Sequence, residues 1–243
     1  MKVWPQPFNL VLKHDNTRSV GLHVSDIIRD LAFTSGVLDD KWVRVENEEG
    51  DTTMMQLGMA FENYVEQTQD YDIEYHPGET YLDCKWMCVC GYKNEQHEGS
   101  VDCRKCSCLC FTPLRVYMSP DGISLARETD EVHMYAIDIC HELKLTKKSS
   151  RDFSSSLRLR EKKVLMWLWQ IMAYCKAMNT LAAVLWVFFV NGNYSNDYND
   201  PKSGAHTEAF RLKFEQSEID LNWNMLIAHA SYMILNGKYR RKI

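Results

Sequence analysis

Tyr135-Ala136-Ile137-Asp138-Ile139-Cys140-His141-Glu142-Leu143-Lys144 reads as a β-strand whose apolar body ends in a carboxylate and an ammonium. Residues two apart on a strand project from one face, so Glu142 and Lys144 stand together while His141 faces the opposite side as a structural residue. Upstream, Ser119-Pro120-Asp121-Gly122 has the residue order of a type I turn and offers a second carboxylate, Asp121, from a turn that can lie beside the strand. Two carboxylates able to share a hard cation, with a lysine at hand, are what metal-assisted cleavage of a phosphodiester uses. Taken singly, the first piece is an ordinary turn and the second an ordinary solvated strand edge. The apolar run before Glu142 predicts instead a buried or cleft-lining end, where a carboxylate needs a partner or a metal. Asp138 shares that face but lies four strand residues away, ~13 Å, too far to share the ion.

Working outward, the spacing predicts a helix over 51–69, with Met54, Leu57, Phe61, Tyr64 and Val65 in one stripe. Glu62 follows Gly58 by one turn and offers a third carboxylate. A glycine inside a helix costs about 1 kcal/mol against alanine, so Gly58 is expected to mark close packing. A helix is predicted over 161–178, with Gln170 and Tyr174 at i and i+4 on one face. Another covers 20–33, its start marked by Ser25, and a last one is capped by Ser217, runs through Trp223 to Leu235 and is closed by Asn236-Gly237. Strands are predicted over 112–118, 134–145, 181–190 and 208–214, with a polar loop over 193–204. This order predicts an α/β fold, a mixed central β-sheet flanked by helices.

The 243 residues suit one large domain or a domain with an insertion, and a hydrophobic share of 45% can supply a core. The longest apolar run, 181–190, is too short to cross a bilayer, and the first residues show no apolar signal core. A soluble cytoplasmic protein is expected, in the host cytoplasm if the source is viral, with no membrane partner. The net charge of −5 argues against a protein that coats nucleic acid with basic surface. It leaves room for an enzyme that concentrates positive charge in one groove. The candidate basic stretches are Lys144 to Lys148, then Arg151, Arg158, Arg160, Lys162 and Lys163, and the C-terminal Lys238 to Lys242.

Seven of the nine cysteines fall between Cys84 and Cys110, on either side of a glycine- and charge-rich loop. Pairs separated by one or two residues across such a loop suit tetrahedral zinc, ahead of iron–sulfur, and disulfides are not expected in a protein that is not secreted. The four-thiolate set is Cys88, Cys90, Cys103 and Cys106, with Cys84, Cys108, Cys110 and His97 as alternates. A structural Zn²⁺ would staple an insertion poor in apolar residues. The chain thus divides into 1–83, a helical part of the core; 84–111, a zinc-ribbon-like insertion; and 112–243, the remainder of the core. Cys140 and Cys175 sit in apolar contexts and read as buried small hydrophobes.

Gly58 and Glu62, Pro120-Asp121-Gly122, Glu142-Leu143-Lys144 and Gln170 with Tyr174, in that order and spacing, resemble the lambda-exonuclease and RecB-nuclease branch of the PD-(D/E)xK superfamily, and most of all its phage-encoded members. The resemblance runs from about residue 20 to about 235, and the Cys-rich insertion departs from it, because relatives with an iron–sulfur cluster carry cysteines that flank the core. It implies a restriction-endonuclease-like core. It implies that Asp121 and Glu142 bind one or two Mg²⁺ or Mn²⁺ ions, with the Leu143 carbonyl a further ligand and Glu62 completing the shell. Lys144 would hold or help deprotonate the attacking water, Gln170 would orient the lysine or the scissile nucleotide, and Tyr174 would contact a phosphate or stack on a base.

The function implied is a Mg/Mn-dependent deoxyribonuclease acting on DNA, by its branch an exonuclease that processes ends in recombination or repair. An endonuclease with the same site stays open, as do an oligomer and a recombination or replication protein as partner. No ATP-binding loop is present in the sequence, so a motor would be a separate protein. Two rivals remain. One is a non-catalytic nucleic-acid-binding zinc-ribbon module on a nuclease-like scaffold. The other is an interaction protein whose acidic cluster pairs with basic residues, which leaves the spacing of Gln170 and Tyr174 unexplained.

Overall fold

The computed structural model describes residue 19 and residues 21–38, 52–67, 73–75, 77–84, 86–87, 93–94, 100–103, 105–107, 109–111, 115–129, 134–197 and 199–237. In chain order the elements are β1 (Leu22–His23), α1 (Val24–Thr34), α2 (Thr52–Gln67), β2 (Ile73–Tyr75), β3 (Thr80–Asp83), β4 (Trp86–Met87), β5 (Lys93–Asn94), β6 (Ser100–Asp102) and β7 (Leu109–Phe111). Then follow β8 (Arg115–Met118), β9 (Gly122–Thr129), β10 (Met134–Thr146), α3 (Phe153–Arg158), α4 (Lys162–Met178), β11 (Ala182–Phe189), β12 (His206–Lys213) and α5 (Gln216–Leu235). The architecture is α/β. A mixed five-stranded sheet has the order β12-β11-β10-β9-β2, and a three-stranded sheet has the order β1-β8-β3. In the larger sheet only β10 and β11 run parallel, joined by a crossover through α3 and α4.

The two faces of this sheet follow from the period of two along a strand. On β11, Ala183, Leu185, Val187 and Phe189 are fully buried, while Val184, Trp186 and Phe188 are only partly so. The first set faces helices: Phe153 of α3 meets Phe189 edge-on at 5.1 Å and tilts against Phe210 of β12 at 5.3 Å. On the other face Phe61 of α2 stacks on Phe188 at 5.3 Å. The sheet is therefore layered between helices. α4 presents Val164, Leu168, Ile171, Met172, Ala173 and Cys175 to the core and packs on α1, α5 and β10. It ends at Asn179, whose left-handed φ of 54° closes the last turn.

Several expectations are corrected. α1 begins at Val24, one residue ahead of Ser25, and its N-cap is the extended His23, with no side-chain cap bond. α5 is capped by Glu215, not Ser217: Glu215 and Glu218 form a reciprocal capping box. Of the stripe predicted on α2, Phe61 is buried but Leu57 and Tyr64 are exposed, and the Met54 side chain lies outside the described residues. Among the described residues a Cβ on Gly58 would meet nothing within 4 Å, so close packing against them is not its reason. Gly122, read as the end of a turn, instead opens β9, where a Cβ would lie 3.1 Å from Ile73 and 3.3 Å from His141. There the absent side chain lets β2, β9 and β10 close together. Of the strand predicted over 112–118, 115–118 is observed and 112–114 lies outside the described residues.

Candidate active site

β9 and β10 pair from Thr129 opposite Met134 down to Gly122 opposite His141, and the ladder stops there. Pro120, two residues before Gly122, has no N–H to continue it. Asp121 turns its side chain to β10 instead, and its Oδ2 accepts a hydrogen bond from the Leu143 N–H at 2.7 Å. The N–H and C=O of one strand residue point to the same neighbour, so the Leu143 carbonyl is turned to the gap that β9 leaves. The opening of the ladder thus brings a carboxylate and a main-chain carbonyl to one place.

Glu142 is fully buried on the face of β10 covered by α4. Lys144 Nζ donates to its Oε1, and the lysine side chain keeps 21% of its surface exposed. The second oxygen, Oε2, is buried without a hydrogen-bond partner among the described residues. Burial, then the charge of Asp121, pushes the Glu142 carboxyl up to about 8 against the pull of Lys144, and Glu62 adds to the push. Burial pulls the Lys144 amine down, but Glu142 and Asp121 outweigh it and the net shift is upward. The lysine is therefore held as an ammonium, which suits it to charge donation.

Glu62 stands on α2, close enough to act electrostatically on both Glu142 and Lys144. Tyr174 and Gln170 reach the site from α4. Gln170 Nε2 donates to the Tyr174 hydroxyl at 2.7 Å, and burial, then Glu142 and Asp121, push the phenol well above its ordinary value. Only 4% of Tyr174 is exposed, so its ring cannot stack on a base, and that expectation is withdrawn. Asp138, on the same strand, is exposed.

These donors fit a hard divalent cation. An orphaned carboxylate oxygen on Glu142, the Asp121 carboxylate and a main-chain carbonyl are all oxygen ligands. Among the described residues no three His, Cys, Asp or Glu side chains form a ready shell. Mg²⁺ does not require one, because it keeps several waters and shares substrate oxygens.

The cysteine-rich stretch folds as two short hairpins, β4 with β5 and β6 with β7. In sequence, Cys88 and Cys90 fall between β4 and β5, and Cys103, Cys106 and Cys108 between β6 and β7. Cys103 is buried and Cys106 exposed, and the Ser107 N–H closes back on the Cys103 carbonyl at 2.7 Å with φ of 58°. Cys88, Cys90, Cys108 and His97, and the side chain of Cys110, lie outside the described residues. Cys84 belongs to the hydrophobic core, donates to the Leu82 carbonyl, and is pushed up to about 12 by burial and then Asp83. It is a poor alternate ligand.

One feature on the far side of β10 escaped sequence reasoning. Trp186 Nε1 donates to His141 Nδ1 at 3.0 Å, which leaves the imidazole proton on Nε2, 2.8 Å from the Ser124 hydroxyl oxygen. Ser124 accepts there and is not activated as a nucleophile. No signal in the sequence links these three residues, because their meeting depends on the register of β9, β10 and β11.

No protein-family model matches the chain, and no curated protein matches it. Among solved structures the chain is similar to the crystal structure of SSO0001, with 12% sequence identity over 90% of this chain and 78% of that chain and a TM-score of 0.42. A likeness of that degree carries no reading of function. Among the described residues no helix is long and apolar enough to cross a membrane.

Proposed function

We propose that the chain is a metal-dependent deoxyribonuclease with a restriction-endonuclease-like core, acting on DNA ends as an exonuclease in recombination or repair. The observation that carries the reading is the fully buried Glu142, whose Oε2 lacks a partner among the described residues, beside the Asp121 carboxylate and the Lys144 ammonium. A purely structural carboxylate at that depth would be fully hydrogen-bonded. Asp121, Glu142 and the Leu143 carbonyl would hold Mg²⁺ or Mn²⁺, with Glu62 contributing negative charge from α2. When bound, such an ion supplies Lewis-acid charge to the scissile phosphate.

The chain's own groups do the remaining work. Lys144 gives a fixed positive charge to the phosphoryl oxygens as negative charge builds there. Gln170 and Tyr174 brace one another and line the wall behind Glu142. Where the β9–β10 ladder stops, the bond from the Leu143 N–H to Asp121 holds the two carboxylates in register. The paired hairpins of the cysteine stretch support a structural Zn²⁺ that is separate from this chemistry.

The test is cleavage of end-labelled linear and closed circular DNA with Mg²⁺, with Mn²⁺ and with neither, comparing wild type with Lys144→Ala. Metal-dependent degradation of the linear DNA alone, lost in the variant, is expected. Cutting of the circle as well would make the protein an endonuclease. DNA bound but uncut in every metal would leave the non-catalytic zinc-ribbon module as the reading.

A further inference from the structure

The loop that follows β10 differs in charge from the rest of the chain. Lys144-Leu145-Thr146-Lys147-Lys148-Ser149-Ser150-Arg151 holds four cations and no carboxylate in a chain of net charge −5. β10 ends at Thr146, and Lys147, Lys148 and Arg151 beyond it are exposed. Their backbone is pinned. The Lys148 N–H donates to Thr146 Oγ1 at 3.1 Å, the Arg151 N–H to Ser149 Oγ at 3.1 Å, and the Ser150 N–H to the Gly192 carbonyl at 3.0 Å.

The loop after β11 is stitched onto the same place. The Val190 N–H donates to the Thr146 carbonyl at 3.0 Å and Asn191 Nδ2 to the Lys147 carbonyl at 3.3 Å. The Tyr194 hydroxyl donates to that same Lys147 carbonyl. Tyr194 has a left-handed φ of 59°, sparsely populated for any residue with a side chain, and 58% of it is exposed. The exposed ring is thus tied by its hydroxyl to the Lys147 main chain. Asp200 interacts electrostatically with Lys202 and Arg151 at the edge of this patch.

We propose that Lys147, Lys148, Arg151 and Tyr194 form a track for single-stranded nucleic acid, with the cations on successive phosphates and the tyrosine ring against a base. The identity of the strand as substrate rests on the nuclease reading. Cations alone would serve a duplex, whose base faces are already stacked on one another. An exposed ring among cations is the combination that grips an unpaired strand. The place fits too: in α/β sheets ligands lie beyond the carboxyl ends of the parallel strands. Lys147 follows Lys144 by three residues, ~10 Å of strand, so the track begins where a strand leaves the acidic site.

The experiment is fluorescence anisotropy of a labelled single-stranded oligodeoxynucleotide and of the blunt duplex of the same sequence, across a salt series with Mg²⁺, on the Lys144→Ala background that prevents cutting. Replacing Lys147, Lys148 and Arg151 together by alanine should make the single-strand salt slope shallower by about 2, since each lost phosphate contact removes ~0.7. The triple exchange Lys147→Arg, Lys148→Arg, Arg151→Lys keeps the charge and should keep the slope, so a general defect would show as its loss here too. Tyr194→Ala should weaken the single strand about tenfold at unchanged slope and leave the duplex alone, whereas Tyr194→Phe retains binding. An unchanged slope in the alanine triple variant, or equal weakening of strand and duplex by Tyr194→Ala, overturns the track. Cleavage by the otherwise wild-type chain is read separately. No cutting with the slope change present overturns the nuclease and leaves the track standing; cutting with no slope change does the reverse.

Discussion

Neighbouring residues of β10 carry two buried polar groups that the fold treats in opposite ways. His141 faces Trp186 and Ser124, and each ring nitrogen has a partner at 3.0 Å or less. Glu142, one residue on and deeper, has one oxygen on Lys144 and the other on nothing among the described residues, with Asp121 and Glu62 adding like charge. Equal burial with unequal satisfaction separates scaffold from site. A polar group that the fold has completed supports the strand. One that it has left incomplete is held ready for something from outside.

The sharpest break in this comparison is Asp121→Ala. Cleavage of linear DNA should fall by about a thousandfold or more while circular dichroism and melting stay near those of the wild type. Activity within tenfold of wild type would place the chemistry elsewhere.

Next comes Glu142→Gln, whose effect on stability has a definite sign. Unfolded, the carboxyl titrates near 4.5, and folded it titrates at about 8. The folded form therefore keeps a proton that the unfolded form releases, and stability falls as pH rises from about 4.5 to 8, then levels. A shift of that size corresponds to roughly 2–5 kcal/mol once relaxation is allowed for. Without divalent metal, Glu142→Gln should melt above the wild type at pH 8 and lose this slope. A wild-type melting profile that is flat over that window would mean that Glu142 is not strained. Because the ion requires the carboxylate, metal affinity should climb with pH up to about 8.

On the opposite face, His141→Phe strands the Trp186 N–H and should cost about 2–3 kcal/mol in denaturant unfolding, with cleavage per folded molecule changed only a few-fold. A loss of cleavage as large as that of Asp121→Ala would erase the distinction between the two faces. The smallest effect belongs to Gly58→Ala. With open space around its Cβ position, the change should stabilise α2 by about 0.5–1 kcal/mol. If cleavage then falls, the glycine keeps room for substrate above Glu62.

The sequence was most readable where periodicity was strong. β10, α4, β11, β12 and α5 carry long patterns and were expected within a few residues. β9 was not expected, because Leu125, Ala126, Arg127 and Glu128 favour helix and Leu125 is 61% exposed. It is a strand only through its pairing with β10. α3 is six residues with three serines, too short and polar to show a period. β1 and β3 are two and four residues long and paired across the chain, beyond any local signal. At the site, the residue types and their spacing were legible. Tyr174's burial and the Asp121 bond to Leu143 were not, since both depend on packing between distant segments.

The crossover between β10 and β11 also sets an order of events. The β9–β10 hairpin is local and can close early, bringing Asp121 to Leu143. Parallel pairing with β11 must wait for α3 and α4, a long loop to close before any contact rewards it. Glu142 therefore stays hydrated until α4 docks. The penalty of the buried acid is therefore met when α4 closes over β10 and not when the β9–β10 hairpin forms.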